Sequence, residues 1–469
     1  MITYIKINGF KSFQNFEMEF SPLTVIAGVN ASGKSNLFDA LLLLSRLSDN
    51  DLRTAFGEQR GNPLELFSQY GPNEYADEME FIVEMLVNRQ VKDKWGGKAE
   101  LNHTRLRYRL IINRKQNDIG LEDLYVKHES LEKINQDDPW VKKYIPRNAR
   151  ILTKALRSGG SRDPFIRTEA EGDTLAIKIR QDGKSGGKAT PANAISQTVL
   201  GGINSVDFPH AFGAKEEMKA WQFLKLNPED LRTPTKQEPG IRDVITPSGK
   251  NLAAALFRIK QMDPYSLVQI SRKLNSFLPE FIEVNVYDDT ADRQFIIKLK
   301  GDDGQEFSSR VLSEGTLRLL ALCVLEFDEK HTGLLCFEEP ENGIHPFRLK
   351  AMVELMRDLS TSFKDIEAPL RQVIVNTHSA TLLNEVLRWK KDNTVSIHLS
   401  MLRSLVTNKK DKRLTLNITK ILPALKEDDT QTTIGSFPQE RKFTVTSIKN
   451  YLLTADFSNT IKDIEENYE

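Results

Sequence analysis

The sequence predicts an α/β fold with a mixed sheet, split by a large α+β insertion. Three observations carry that prediction. A glycine-bearing loop at 28–35 stands between an apolar strand run and a leucine-patterned helix. A second apolar run, at 334–337, ends in two adjacent glutamates. Between them, residues 75–285 carry eleven prolines, which break helices and exclude a long coiled coil.

Taken in order, the first 27 residues read as three strands. Ile2, Tyr4, Ile5 and Ile7 form the first, Phe16, Met18 and Phe20 the second, and Leu23–Ala27 the third. The turns NGFKS and Ser21-Pro22 separate them. After the loop, Leu37, Leu41 and Leu44 recur at helical spacing. The middle of the chain reads as strands at 78–88 and 104–113, a loop or lobe at 130–190, and helices at 214–226 and 249–276. The polar, glycine-containing segment 181–190 is expected to be mobile. Strands return at FIEVNVY and RQFIIKLKG, followed by a turn-helix at VLSEGTLRLLALCVLEF, the strand of GLLCFEEPE, a helix at 346–359 and a strand at 372–376. The expected divisions are an N-terminal lobe at 1–75, an insertion at 76–280, a C-terminal lobe at 281–400 and an extension at 401–469.

Composition removes several classes. At 469 residues, with roughly 100–200 per domain, the chain holds two to four domains. Its 39% hydrophobic and 28% charged residues are those of a globular protein. No apolar run approaches the ~18 residues of a membrane helix, and the N-terminus lacks the order of a signal peptide. No membrane partner and a cytoplasmic location are expected. Two cysteines, Cys323 and Cys336, cannot build a disulfide scaffold or a four-ligand zinc site. Lys+Arg and Asp+Glu number 65 each, so no global field draws the chain to nucleic acid.

Local charge is different. Residues 141–188 hold twelve basic and five acidic residues, a net of +7. Such a segment can neutralise phosphates of a nucleic acid, grip an acidic protein, or be a solvated face.

Four motifs carry chemistry. GVNASGKS at 28–35 fits G-x-x-x-x-G-K-[ST] in the strand-to-helix context that the pattern requires. Gly28 and Gly33 let the backbone wrap phosphate oxygens, Lys34 reaches the β- and γ-phosphates, and the Ser35 hydroxyl ligates Mg²⁺. Asn30, Ser32 and Asn36 complete the candidate loop contacts. In LLCFEEPE, Glu338 suits the Mg²⁺ shell and Glu339 the activation of water. A Glu-Glu pair alone is more often a solvated turn; the phosphate loop upstream and the apolar lead-in turn the reading toward chemistry. Leu312-Ser313-Glu314-Gly315 opens a helix, where Ser313 and Gly315 make either an anion site or a plain N-cap. His378 follows a strand, at the sheet edge where open α/β folds bind ligands.

The order of these motifs resembles the ABC-type ATPase heads of the SMC, RecF and OLD families, over about 1–60 and 281–385. The hairpin IKINGFKSFQNFEMEF is similar to that of the family, and WQFL at 221–224 and SGKNLAAAL at 248–256 resemble the region before its signature. The resemblance implies a P-loop NTPase fold with an ABC-type head. It makes Gly28–Ser35 Walker A, Leu312–Gly315 the signature, Glu338 and Glu339 the Walker B end, Glu341-Asn342-Gly343 the D-loop and His378 the switch histidine. It also brings Gln69, in LFSQYG, to the Q-loop metal position and Lys11 near the nucleotide. Glu338 departs from the family, which has Asp there.

The resemblance further implies ATP and Mg²⁺ as cofactors, ATP hydrolysis, and a head-to-head dimer or higher oligomer in which Ser313 of one copy completes the site of another. OLD relatives carry a Toprim nuclease; the 91 residues after His378 are expected to be too few for one. The expected function is a sensor or motor subunit of a bacterial anti-phage system, controlling a separate nuclease or toxin. The alternatives are a RecF-like repair ATPase and a nucleotide-gated scaffold with little turnover.

Overall fold

A computed structural model describes residues 1–71, 74–116, 122–134, 138–146, 156, 163–171, 174–180, 187–191, 196–238, 243–363, 370–389, 392–409 and 412–423. The chain forms two compact units. The first holds the described residues of 1–221, 362–370 and 392–423, the second those of 222–361 and 371–389.

In the first unit, the alternating N-terminal residues form strands Ile2–Asn8 and Phe16–Glu19, antiparallel, with Ile5 opposite Met18 and Ile7 opposite Phe16. Ile2–Asn8 also pairs with Glu78–Leu86, and the sheet continues through Arg105–Gln116, Glu122–Lys133, Ile166–Glu171, Thr174–Arg180 and Gly187–Pro191. Residues before the glycine loop and residues long after it thus share one antiparallel sheet. Cross-strand ion pairs join these strands: Arg107 with Glu84 at 2.7 Å, Arg109 with Glu80 at 2.7 Å, and Lys127 with Glu78 at 2.5 Å. Pairs of this exposure contribute at most about 1 kcal/mol each.

Two buried contacts pin the sheet to its surroundings. Trp140, on helix Pro139–Tyr144, packs with Met1, Leu86 and Phe363 and donates its indole N–H to Phe20 O at 2.7 Å. Glu129 is fully buried and accepts from Val199 N at 2.7 Å, Leu200 N at 2.8 Å and the Tyr108 hydroxyl at 3.0 Å. Burial pushes its carboxyl up to about 7 against the pull of those donors.

The same unit carries the strand under the loop. Leu23–Ala27 is buried at every residue and lies parallel to Val395–Leu399, as strands covered on both faces do. Strand Val395–Lys409 then returns antiparallel on Lys412–Pro423, so this sheet is mixed.

In the second unit, strand Gly333–Glu338 is flanked by two parallel strands, Gln222–Leu224 and Arg371–Thr377. Helix Glu314–Phe327 precedes it, and helices Leu349–Asp358 and Ala380–Leu387 follow. Arg371 ties strand to helix by donating to the carbonyls of Glu326, Asp328 and His331 at 2.6, 2.8 and 2.9 Å. Those acceptors include a helix-terminal carbonyl with no partner of its own inside the helix.

Three expectations are corrected. The helix expected at 214–226 is Pro209–Lys219, with Pro209 at its start, and Gln222–Leu224 is a strand because it pairs with Leu335–Phe337. The helix expected at 249–276 is two, Leu252–Met262 and Pro264–Phe277. Asp263 caps the second by accepting from Tyr265 N, and Pro264 can only begin a helix. The loop or lobe expected at 130–190 holds helix Pro139–Tyr144 and three sheet strands. Residues 181–186 lie outside the described residues, as does everything after 423.

Candidate functional site

The glycine loop is built by the first unit. Strand Leu23–Ala27 delivers it and helix Lys34–Leu47 leaves it. Leu37, Leu41 and Leu44 bury one face of that helix. No side chain caps its N-terminus: the N-cap is Gly33, at φ 90° in the left-handed region. A Cβ at Gly33 would stand 1.8 Å from Thr419 Oγ1, so only glycine fits there. A Cβ at Gly28 would meet Ser400 O at 2.6 Å.

The loop is braced from the far end of the chain. Ser400 Oγ donates to Ser32 O at 3.0 Å, and Thr419 N donates to Ser12 O at 3.0 Å. Asn36 donates its side-chain amide to Ser12 Oγ at 2.7 Å, and Ser12 Oγ lies 2.6 Å from Thr419 Oγ1.

The loop's chemistry suits an anion. Lys34 is buried, and its ammonium donates to Gly28 O at 2.7 Å and Val29 O at 2.9 Å, curled onto its own loop. Ser32 Oγ is buried, with no hydrogen-bond partner among the described residues. A buried hydroxyl without a partner costs about 1–3 kcal/mol, and a ligand oxygen would relieve it. Asn30 and Ala31 are exposed at the rim, and Ser35 opens the helix. An uncapped helix start, a nearby ammonium and a waiting hydroxyl fit a phosphate group. Lys11 lies on the helix's other flank, paired with buried Asp39 at 2.6 Å. Gln69 sits exposed in the hairpin Gln69–Gly71/Glu74–Tyr75, its amide donating to Gly71 O at 3.1 Å.

The acidic cluster belongs to the second unit. Strand Gly333–Glu338 is buried up to Phe337 and ends on Glu338, opposite Asn376. Glu339 then turns into the left-handed region at φ 49°, with its N–H donating to Asn376 O at 2.8 Å. That turn is sparsely populated for residues with a Cβ and is a form of strain that functional sites retain. It brings Glu339 Oε1 within 3.0 Å of His378 Nδ1, while Glu339 Oε2 accepts from Asn342 Nδ2 at 3.0 Å. Glu341 is buried and accepts from the Thr377 hydroxyl at 2.5 Å and His378 N at 3.2 Å. Two parallel strand ends therefore gather three carboxylates and an imidazole.

The segment Leu312–Gly315 lies beside the same turn. Ser313 is exposed and caps helix Glu314–Phe327 by accepting from Thr316 N at 3.2 Å. Gly343 has φ 76°, and a Cβ there would stand 2.2 Å from Glu314 Oε1. Gly315 is buried near Gly343 O.

The sequence alone pointed to the loop, Glu338, Glu339, Ser313, Gly315 and His378. It did not point to Thr419, Ser400 or Asp39, which have no motif around them, nor to the hold of Glu341 on His378. Within the basic segment 141–188, the described cations mostly have acidic partners: Lys143–Glu19 at 2.6 Å, Lys178–Glu171 at 2.6 Å, Arg180–Asp163 at 3.1 Å and Arg167–Glu169 at 3.3 Å. Arg147, Arg150, Lys154, Arg157, Arg162 and Lys184 lie outside the described residues. Among the described residues no helix is long and apolar enough to cross a membrane.

Among solved structures, the chain is similar to the SMC head domain from Thermotoga maritima, at 12% identity, covering 91% of this chain and 99% of that one, with a TM-score of 0.38. It is also similar to the Smc head domain with an extended coiled coil bound to the C-terminal domain of ScpA, derived from Pyrococcus furiosus. There the identity is 13%, the coverage 90% and 96%, and the TM-score 0.41. No curated protein matches. A family model described as "AAA domain, putative AbiEii toxin, Type IV TA system" matches residues 23–384, a span that takes in the glycine loop, the paired glutamates and His378. The chain belongs to that AAA family.

Proposed function

We propose that this protein binds and hydrolyses ATP. The observation that carries the reading is the uncapped start of helix Lys34–Leu47, with the Lys34 ammonium and the unpartnered Ser32 hydroxyl beside it. In this reading the loop N–H groups and Lys34 hold the phosphates. Ser35 and Glu338 would each serve as a Mg²⁺ ligand, and the metal would supply positive charge to offset that of the phosphates. Glu339 orients the attacking water as its carboxylate accepts a proton from it, and His378 contacts the γ-phosphate. Ser313 of a second copy completes the site, so hydrolysis accompanies head-to-head dimerisation.

The test is steady-state hydrolysis of Mg²⁺-ATP by the whole chain and by Glu339→Gln and Lys34→Ala. Glu339→Gln is expected to bind ATP normally and to turn over at least about a hundredfold more slowly. Lys34→Ala is expected to lose ATP binding. With ATP, light scattering of Glu339→Gln should report a dimer; a monomer under those conditions removes the dimer from the proposal.

The proposed biological role is a sensor or motor subunit that controls a separate effector in bacterial anti-phage defence. The family's description, which names a putative toxin and a toxin–antitoxin system, supports a two-component setting. Co-purification of a nuclease or toxin with the native protein tests it. Recovery of recombination proteins instead supports a RecF-like role, and ATP binding without turnover supports a scaffold.

A further inference from the structure

Strand Arg371–Thr377 and the turn after strand Gly333–Glu338 meet through one carboxylate. The Glu341 side chain is only 7% exposed. Its Oε1 accepts from the Thr377 hydroxyl and from the backbone N–H of His378. The same oxygen lies 3.6 Å from His378 Nδ1, which is itself 3.0 Å from Glu339 Oε1. Oε2 of Glu341 is buried, with no hydrogen-bond partner among the described residues.

A carboxylate that needed only solvation would not be left this way. Burying it is expensive unless its donors are fixed, and both donors come from the two residues that carry and precede the imidazole. The Thr377 hydroxyl is engaged twice, since it also accepts from Ser379 N at 3.0 Å. Ser379 in turn caps helix Ala380–Leu387 through Leu382 N at 3.2 Å. Glu341 thus sits at the root of a short chain of bonds that sets where residue 378 leaves its strand.

We propose that Glu341 is a positioning residue for His378: it fixes the histidine's backbone, and thereby holds the imidazole against Glu339. The proposal rests on the roles given to Glu339 and His378 above. Glu341 touches neither ATP nor water in this account; it acts through the histidine. Outer partners of this kind typically matter by about 10–100-fold when removed, because a misplacement near 1 Å at the reacting groups can cost about a hundredfold.

The experiment uses the whole chain with Mg²⁺-ATP and isotope-labelled histidine. Glu341→Ala is expected to lower kcat by at least about tenfold with KM for ATP within about twofold, the split of a group that acts after binding. Glu341→Gln, whose amide oxygen still accepts from both donors, is expected to keep kcat within about threefold. The His378 imidazole resonance, assigned by its loss in His378→Ala, is expected to shift in Glu341→Ala and to hold its place in Glu341→Gln. Should the alanine variant not fold, Glu341→Asp, one methylene short of both donors, carries the same expectation.

An unchanged kcat in the alanine variant overturns the proposal. So does a glutamine variant as slow as alanine, or a slow alanine variant whose imidazole resonance does not move. If Glu339→Gln and His378→Ala hydrolyse ATP at the normal rate, the roles given to Glu339 and His378 have failed instead. The imidazole shift then still reports whether Glu341 holds His378.

Discussion

Thr419 leans on Gly33 so closely that a single added carbon at residue 33 would lie 1.8 Å from its hydroxyl oxygen. The start of the phosphate-loop helix is therefore shaped by a residue 386 positions later in the chain. Gly33→Ala meets this contact and also a positive φ, a conformation that costs about 1–2 kcal/mol for a residue with a Cβ. The expected outcome is at least about a tenfold loss of ATP affinity, read by calorimetric titration. Thr419→Ala combined with Gly33→Ala should recover part of that loss, since the 1.8 Å contact with the hydroxyl is gone, while the φ strain and a 2.9 Å approach to the Cβ of residue 419 are left.

Ser400 offers a milder probe of the same brace. Its hydroxyl donates to Ser32 O at 3.0 Å, where the Thr419 hydroxyl makes only a longer contact at 3.4 Å. Ser400→Ala should cost about 1 kcal/mol, the worth of a typical buried hydrogen bond, visible as a lower unfolding midpoint. ATP present in excess should narrow the difference, because a ligand that binds only the folded chain stabilises it.

Hydrolysis should respond to His378 less than to Glu339. In the proposed mechanism Glu339 acts on the water and His378 on the phosphate, where Lys34 and the loop N–H groups would share the load. His378→Ala is expected to reduce kcat by about 10–100-fold, against at least about a hundredfold for Glu339→Gln. Single-turnover assays separate these changes from effects on product release.

The Glu129 carboxyl gives a pH signature. Burial raises it to about 7 in the folded chain, from an ordinary value of 4.5. Between those two values the unfolded chain has given up this proton and the folded chain has not, so folding binds a proton there. The group's stabilisation is full below pH 4.5 and falls as pH rises to 7, by about 3 kcal/mol in all. Glu129→Gln, which does not titrate, should flatten that part of the stability curve. Urea unfolding of both proteins at a series of pH values checks the difference.

Local chemistry was legible where one short segment holds all of it. The glycine loop, the Ser313 cap and the apolar run ending on Glu338 each depend on neighbours within a few positions. The strand before the loop and the helix after it follow from periodicity alone. What escaped depended on partners far off. Gln222–Leu224 has the residues of a helix end, and it becomes a strand only because Leu335–Phe337 offers its backbone. The strands after residue 122 carry glutamates and arginines that read as solvated loop until their cross-strand partners are known. Ser400 and Thr419 lie in a hairpin with no motif, and nothing near them announces a phosphate loop. Glu341 was placed by order in the chain, but its grip on His378 required two strand ends side by side.

Lys34 rests with its charge spent on the carbonyls of Gly28 and Val29. An arriving anion must therefore win the ammonium away from two good acceptors before it gains anything. A lone monoanion makes a poor rival for that pair, whereas a polyphosphate tail brings several oxygens at once. Binding of the proposed nucleotide would therefore trade the two carbonyl contacts of Lys34 for contacts with phosphate oxygens.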